Sequence, residues 1–570
     1  MNSLIKSLTW TFTWTLTLGG VLSGCGSDAD TTSNSTDVGK AEDPAAFWKT
    51  YTPDGIDFVH FCGDPNDRLL PQSLGAGCVI ADFDQDNDND IYFLQGNDLT
   101  QTSASPSSNA LYWNDGDGTF TLAGPEYGVD HDGFGISGSV ADVDQDGDLD
   151  LYLCNLGPNA LLLNNGDGTF QVAENAGGAQ DDGFSTGSTF FDADQDGDLD
   201  LYVTRYVDWS PDIEAECVNL LGGSDFCPPG RYNRPLGDKF FRNEGGTFTE
   251  ETRTAGFSGP VGHGLACTAG DINGDGWDDI YVANDQTPNF LWINNKDGTF
   301  SERAVQLGCA TSNTGKSRAG MSATMIDIDG DLDLDIHVSN LEGESDGMFV
   351  NQDGQFIDQS AAKALAGSSR KMTRWGAVFG DWDLDGHLEM FTACGRVLQT
   401  SQSDAADPYA ERDMLHEISE PNSRFEPRPV GHRATNARAA LTSDLDGDLF
   451  PELIVTTAWS KPMFMRRWST VREDKAFTLI RVMDNGLPAV GTIVDVHTKE
   501  GSVIRHNVRR DGGYAADTPP LLLCPNPSSV GKLEISWPNG DKQVISGPLD
   551  AGQKVINKEP VLQKEVRSTD

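Results

Sequence analysis

Residues Asp82 to Asp90 read DFDQDNDND and run directly into IYFL, and this phrase returns six more times along the chain. The later copies are DVDQDGDLD from Asp142, DADQDGDLD from Asp192, DINGDGWDD from Asp271, DIDGDLDLD from Asp327, DWDLDGHLE from Asp381 and DLDGDLFPE from Asp444. Oxygen-bearing side chains fall at positions 1, 3, 5 and 9 of every copy. The sets are Asp82, Asp84, Asp86 and Asp90; Asp142, Asp144, Asp146 and Asp150; Asp192, Asp194, Asp196 and Asp200; and Asp271, Asn273, Asp275 and Asp279. The remaining three are Asp327, Asp329, Asp331 and Asp335; Asp381, Asp383, Asp385 and Glu389; and Asp444, Asp446, Asp448 and Glu452. An apolar run follows each copy: LYLC, LYVT, IYVA, IHVS, MFTA and LIVT after the first.

Oxygens at alternate positions of a tight loop can converge on one point. Ca²⁺ takes six to eight hard oxygen ligands in irregular geometry, whereas Mg²⁺ demands a near-octahedral shell and keeps its waters. An EF-hand closes on Glu at position 12 between two helices. Here the loop closes at position 9 and enters β-branched and aromatic residues, so the phrase predicts a strand–loop–strand calcium site. One such string arises by chance in an acidic chain, but seven in the same context do not reduce to solvated acidic turns. Position 6 calls for a left-handed residue, which Gly147, Gly197, Gly276 and Gly386 supply and Asn87 tolerates. Leu332 and Leu449 supply it poorly, with glycine two positions early at Gly330 and Gly447. The copies at Asp327 and Asp444 are therefore expected to bind metal most weakly or with altered geometry.

The intervals between copies are 60, 50, 79, 56, 54 and 63 residues. That is the length of a four-stranded sheet with variable loops, and such a period predicts a seven-bladed β-propeller. A second phrase supports the unit: NDGDGTF at Asn114, NNGDGTF at Asn164, NEGGTF at Asn243, NNKDGTF at Asn294 and NQDGQF at Asn351. Each follows a short apolar strand and reads as a hairpin turn. Each blade is then strand, calcium loop, strand, crossing, strand, hairpin, strand, with the terminal Phe packed between blades. Two stretches read as insertions: Cys217 to Pro235, and Ser401 to Asn436 with a possible helix near Ala405 to Ile418. Long loops on a compact scaffold are functional or mere decoration in comparable measure.

The chain has 570 residues, 63 of them Gly, and a formal net charge of −48. Such acidity excludes a phosphate-backbone partner, because nucleic-acid binders carry basic patches. Residues 1–25 read as a targeting segment: a basic start, a short apolar run diluted by Thr, then Leu22-Ser23-Gly24-Cys25. The tetrapeptide resembles a bacterial lipobox, in which the Cys is lipidated; an ordinary cleaved secretory signal is the alternative. Residues 26–46 lack large apolar side chains and read as a flexible tether. Cys217 and Cys227 are the best disulfide candidates and Cys62 with Cys78 a weaker pair. Cys154, Cys267 and Cys394 lie in or beside strands and read as buried small hydrophobes. The propeller is assigned to 47–476, a small C-terminal β domain to 477–560, and a tail to 561–570.

The repeats resemble the FG-GAP, VCBS-type, repeats of the integrin α propeller. The whole arrangement resembles the cartilage acidic protein / UnbV family. It is carried by GIDFVH at Gly55, LGAGCVIADFD at Leu74, YVANDQTPNFLWIN at Tyr281 and AGMSATMIDIDGD at Ala319. DGGY at Asp511 and ISWPNG at Ile535 resemble the C-terminal ASPIC/UnbV domain. The chain departs from that family between those motifs, where it reads LLLCPNPSSVG in place of a glycine-rich FGLG-like stretch. The resemblance implies an all-β protein, secreted or surface-exposed, calcium-binding and adhesive, with no general enzymatic activity attached.

Three functions follow as expectations. The first is an extracytoplasmic bacterial lipoprotein, facing the periplasm at the outer membrane or displayed on the cell surface. It touches the membrane only through its N-terminal lipid and binds a protein or polysaccharide partner, with several structural Ca²⁺. The second is a propeller enzyme acting on glycans or another extracytoplasmic substrate. His263, Asp285, Arg205 and Tyr206 are its candidate groups at the channel mouth, although each also reads as a turn cap or blade filler. No GxSxG, HExxH or phosphate loop occurs, and no catalytic residue is assigned. The third is an assembly module whose C-terminal domain docks on a partner complex.

Overall fold

The computed structural model describes residues 48–558, apart from 101–107, 174–175, 401–406, 419–422, 429, 431, 468–475, 511–512 and 521. The expectations for residues 1–25, for Cys25, for the tether and for the 561–570 tail lie outside the described residues. No described helix is long and apolar enough to cross a membrane.

Each acidic phrase joins the innermost strand of a blade to its second strand. In blade one Cys78–Ala81 precedes the loop and Asp90–Phe93 follows it, with Ala110–Asn114 and Phe120–Leu122 completing the sheet. Blades two to six repeat this antiparallel order. Blade seven takes Ala437–Ser443, Glu452–Thr457 and Met463–Arg467 from the end of the ring and its outermost strand, Trp48–Tyr51, from the start. The register runs from Trp48 opposite Arg467 to Tyr51 opposite Phe464. This exchange closes the ring by tying the start of the chain to its end within one sheet. Trp48 is buried and packs edge-on against Trp382 of blade six at 5.6 Å.

Seven apolar clusters fill the spaces between successive blades. The hairpin phenylalanines sit in them: Phe120, Phe170, Phe248, Phe300 and Phe356 are all buried, each against the preceding blade. Their backbones are also tightly approached. A Cβ on Gly55 would lie 1.7 Å from the Phe120 carbonyl oxygen and one on Gly177 1.5 Å from that of Phe248, so only glycine fits there.

Among its described residues the stretch 401–436 holds strands rather than the expected helix. Met414–Ile418 and Phe425–Arg428 are the two outer strands of blade six, and Phe425 fills the blade-five interface as its counterparts do. The blade lacks the Asn-Gly hairpin phrase, so its outer strands carry no turn signal. Cys62 and Cys78 are not joined; they and Cys154, Cys267, Cys309, Cys394 and Cys524 are buried and outside any disulfide.

The C-terminal sheets form a sandwich around Ile480, Val496, Leu533 and Trp537. One sheet has Phe477–Asp484 between Leu522–Pro525 and Gly552–Asn557, and the other contains Val503–Asn507, Ile493–Thr498, Val530–Ser536 and Lys542–Ser546. The stretch that departs from the family pattern thus supplies an ordinary strand, Leu522–Pro525. The sandwich lies on the acidic-loop face: Arg505 Nη1 donates to the Leu332 carbonyl at 2.9 Å. From it, Ala516–Asp517 adds a parallel strand beside Cys78–Val79, and the Tyr514 ring enters the propeller axis against Trp375 at 4.6 Å.

Candidate metal loops and the sealed axis

The seven loops share one backbone. Position 6 is left-handed in all of them, with φ of 78° at Asn87, 97° at Gly147, 96° at Gly197, 87° at Gly276, 78° at Leu332, 92° at Gly386 and 71° at Leu449. Position 4 is left-handed too, at Gln85, Gln145, Gln195, Gly274, Gly330, Leu384 and Gly447. The loops at Asp327 and Asp444 are therefore not altered in geometry. They place glycine at position 4 and leucine at position 6, where the second, third and sixth loops have glycine at position 6 and Gln145, Gln195 or Leu384 at position 4. Strain falls unevenly: a left-handed non-glycine costs about 1–2 kcal/mol, and the first loop has two while the fourth has none.

The position-1 carboxylate accepts the position-6 N–H at 2.8–3.2 Å in every copy. The position-9 carboxylate accepts the position-2 N–H at 2.7–3.3 Å. In blades one to five its second oxygen accepts the N–H of the hairpin asparagine, at 2.7–2.9 Å. Blades six and seven, which lack that asparagine, carry Glu389 and Glu452 instead of Asp. Position 9 is thus first a frame for the loop and only second a ligand.

Two interblade ties escaped the sequence reading. The hairpin asparagine Nδ2 reaches back to the position-2 carbonyl of the preceding blade: Asn114 to Leu445, Asn164 to Phe83, Asn243 to Val143, Asn294 to Ala193 and Asn351 to Ile272, at 2.7–3.0 Å. The glutamine at position 4 reaches forward to the next loop: Gln85 to the Gly147 carbonyl at 2.7 Å, Gln145 to that of Gly197 at 3.0 Å, and Gln195 to that of Gly276 at 2.6 Å. The recurrence of Asp-Gln-Asp at three copies, and of Asn at the head of each hairpin phrase, was the available signal.

The carboxylates do converge. Single oxygens of Asp82, Asp84 and Asp90 lie within 4.8 Å of one another, as do those of Asp142, Asp144 and Asp146; Asp192, Asp194 and Asp196; Asp327, Asp329 and Asp335; and Asp381, Asp383 and Asp385. Among the described residues, buried oxygens of Asp82, Asp144, Asp192, Asp194, Asp329 and Asp333 have no hydrogen-bond partner. A buried carboxylate oxygen without a donor is costly, and a hard divalent cation is the partner that several such oxygens can share. Asp333, at position 7, joins this set although it is not among the sequence-read ligands. In the third loop Arg242 already supplies a cation: its Nη1 lies 2.9 Å from Asp194 and 3.0 Å from Asp200.

Burial, and then the neighbouring carboxylates, push the loop acids up. Asp90, Asp279 and Asp335 rise to about 8 and Asp150 and Asp200 to about 7. Glu389 and Glu452 rise to about 9, and Asp82, Asp192 and Asp444 to about 6. The fold by itself disfavours the ionised form of these acids, and bound positive charge reverses such shifts.

The opposite face of the ring is closed over. The Cys217–Cys227 disulfide is present, with Cα atoms 5.4 Å apart, and clamps the hairpin Cys217–Val218/Ser224–Asp225. This excursion from blade three crosses to the far side of the channel. Asp225 accepts the Gln399 N–H at 2.7 Å and the Tyr409 O–H at 2.8 Å, and Phe226 packs on Tyr409 and Trp459. Its tip stays in solvent, with Val218 76% and Leu220 87% exposed.

Three of the four candidate groups at this mouth come together. Tyr206 donates its O–H to Asp285 at 2.7 Å, and His263 Nδ1 lies 3.1 Å from the Asp285 carbonyl oxygen. All three are buried, and burial raises Asp285 to about 7. Arg205 turns away to Asp181, at 3.1 Å. The space beside Tyr206 and Asp285 is only about 30 Å³, the share of a single water.

The comparisons agree with the repeat reading. A family model described as an FG-GAP-like repeat matches residues 82–153, 142–203, 230–282 and 271–338. Cartilage acidic protein 1 of Xenopus tropicalis is 24% identical over 307 residues, covering 51% of this chain and 44% of that protein. The Homo sapiens protein is 22% identical over 310 residues, with the same coverage. The match thus spans less than half the length of these relatives. Among solved structures, YCF48 from Cyanidioschyzon merolae is 10% identical over 74% of this chain and 99% of that one, with a TM-score of 0.37. A Bacillus licheniformis rhamnogalacturonan lyase is 13% identical over 73% and 75%, also at 0.37. At these scores neither informs the function. With seven blades and the repeat matches in hand, the chain is a β-propeller protein built from FG-GAP-like repeats and similar in sequence to cartilage acidic protein 1.

Proposed function

We propose that this protein is a calcium-stabilised propeller held outside the cytoplasm by a lipid on Cys25, where it binds a protein or polysaccharide partner. The observation that carries the calcium part is the set of buried, partnerless carboxylate oxygens in loops of one shared geometry. Calcium is the cation whose coordination number and tolerance suit them. Its role is structural: it neutralises carboxylates that otherwise repel one another, so its binding adds to folding free energy. The disulfide accords with an oxidising compartment. Between the two partner classes, the rigid aliphatic tip at Val218 and Leu220 favours a protein, since exposed apolar side chains on a fixed base are what interface anchors offer.

Titration calorimetry on chelator-stripped protein tests this. Calcium should bind at several sites per chain with Mg²⁺ far weaker; absent calcium heats, or equal heats with Mg²⁺, would overturn it. The anchor is checked separately: Cys25→Ala should move the protein from the membrane to the soluble fraction.

A further inference from the structure

A cavity of about 760 Å³ lies between the acidic-loop ends of blades five and six and the C-terminal sandwich. Its volume falls within the range of small-molecule sites, and a seam between two packed units is a usual place for one. Much of its wall is apolar, with Met325, Phe379 and Leu388 on the propeller side and Ile504 and Leu522 on the sandwich side.

Two residues on that wall each keep a polar atom without a partner. Thr324 is 8% exposed and its hydroxyl has no hydrogen bond among the described residues. Arg509 has a side chain 13% exposed, and its polar contacts are long: Asp278 at 3.8 Å and the Met325 sulfur at 3.8 Å. Its Nε has no partner. Gly270 leaves the room that the guanidinium occupies, since a Cβ there would lie 1.7 Å from Nη1. The neighbouring arginines are held by close carboxylates, although Arg510 Nη1 also lacks a partner. Arg505 binds both oxygens of Asp495, at 2.7 and 2.8 Å, and Arg510 binds Asp517 at 2.7 Å. A buried guanidinium with an unused donor costs free energy until an acceptor meets it.

We infer that this cavity is a binding site for a small amphipathic monoanion, a molecule with an apolar body and one carboxylate or sulfonate. The anionic group pairs with Arg509 and accepts from Thr324, and the body lies along Met325, Phe379, Leu388 and Ile504. The acidic rim, Asp327 and Asp381, disfavours a polyphosphate, and the apolar wall would leave most hydroxyls of a sugar unpaired. This site is separate from the proposed partner-binding tip and does not depend on it.

The test uses the full chain in calcium-containing buffer with anilinonaphthalene sulfonate as the fluorescent probe. One saturable site per chain is expected, displaced by decanoate and not by decan-1-ol. Arg509→Met should weaken the probe at least tenfold and the near-isosteric Thr324→Val about threefold, with the melting temperature reporting that each variant is folded. If Arg509→Met fails to fold, Thr324→Val and the decanoate–decanol pair decide alone. Unsaturable fluorescence, equal displacement by the alcohol, or native affinity in the folded variants overturns the inference.

Discussion

At the residue scale, the carboxyls show both what was legible and what was not. Positions 1, 3 and 5 were readable because ligand spacing is a local property of the chain. The double role of position 9 was not, since its second partner is an asparagine 14 to 43 residues away. Outside the loops Asp285 offers a clean pH test. Burial holds its carboxyl at about 7, above the ~4 of an unfolded aspartate. Between those values the native state binds more protons than the unfolded one, so this group's contribution to stability is lost as pH rises from about 4 through 7. Asp285→Asn keeps an acceptor for the Tyr206 hydroxyl and never ionises. Its melting temperature should gain on the parent between pH 5 and pH 8, and parallel profiles across that range would contradict the assignment.

At the scale of elements, the strands followed from the apolar runs after each phrase, and the hairpins from their Asn-Gly turns. Blade six shows the limit. Without the hairpin phrase, the polar stretch that ends in Met414–Ile418 reads as a helical insertion, yet pairing with Glu389–Thr392 makes that segment a strand. Tertiary pairing outweighs local pattern there. The ties between blades belong to the same scale. Asn164 Nδ2 holds the Phe83 carbonyl at 2.8 Å and that of Leu149 at 3.3 Å. Asn164→Ala leaves both buried carbonyls short of a donor and should cost about 1–3 kcal/mol, read as a lower urea midpoint with an unchanged slope. An unaffected midpoint would show that the blades hold together without this tie.

At the scale of the whole molecule, closure and plugging decide the shape, and neither was legible. Trp48–Tyr51 pairs with residues more than 400 positions away, a contact no local pattern announces. Tyr514 was visible only as part of a family motif. In the ring it fills the axis, its hydroxyl oxygen accepting the Gly75 N–H at 3.1 Å and its ring packing on Trp375. Tyr514→Ala should cost about 3–5 kcal/mol, the usual loss for a buried aromatic, and thermal unfolding would report it. Above and below this plug, the Cys217–Cys227 excursion and the C-terminal sandwich close the two faces, so the two regions expected to carry recognition also hold the ring shut.

The central claim is that the acidic loops are metal-dependent fasteners of the ring. Thermal unfolding of one preparation, with excess calcium and after chelation, tests it most directly. The account predicts a melting temperature tens of degrees lower without calcium, at the scale of several bound ions each stabilising the native state, restored by calcium and not by equal Mg²⁺. The same melting temperature in chelator and in calcium would contradict it.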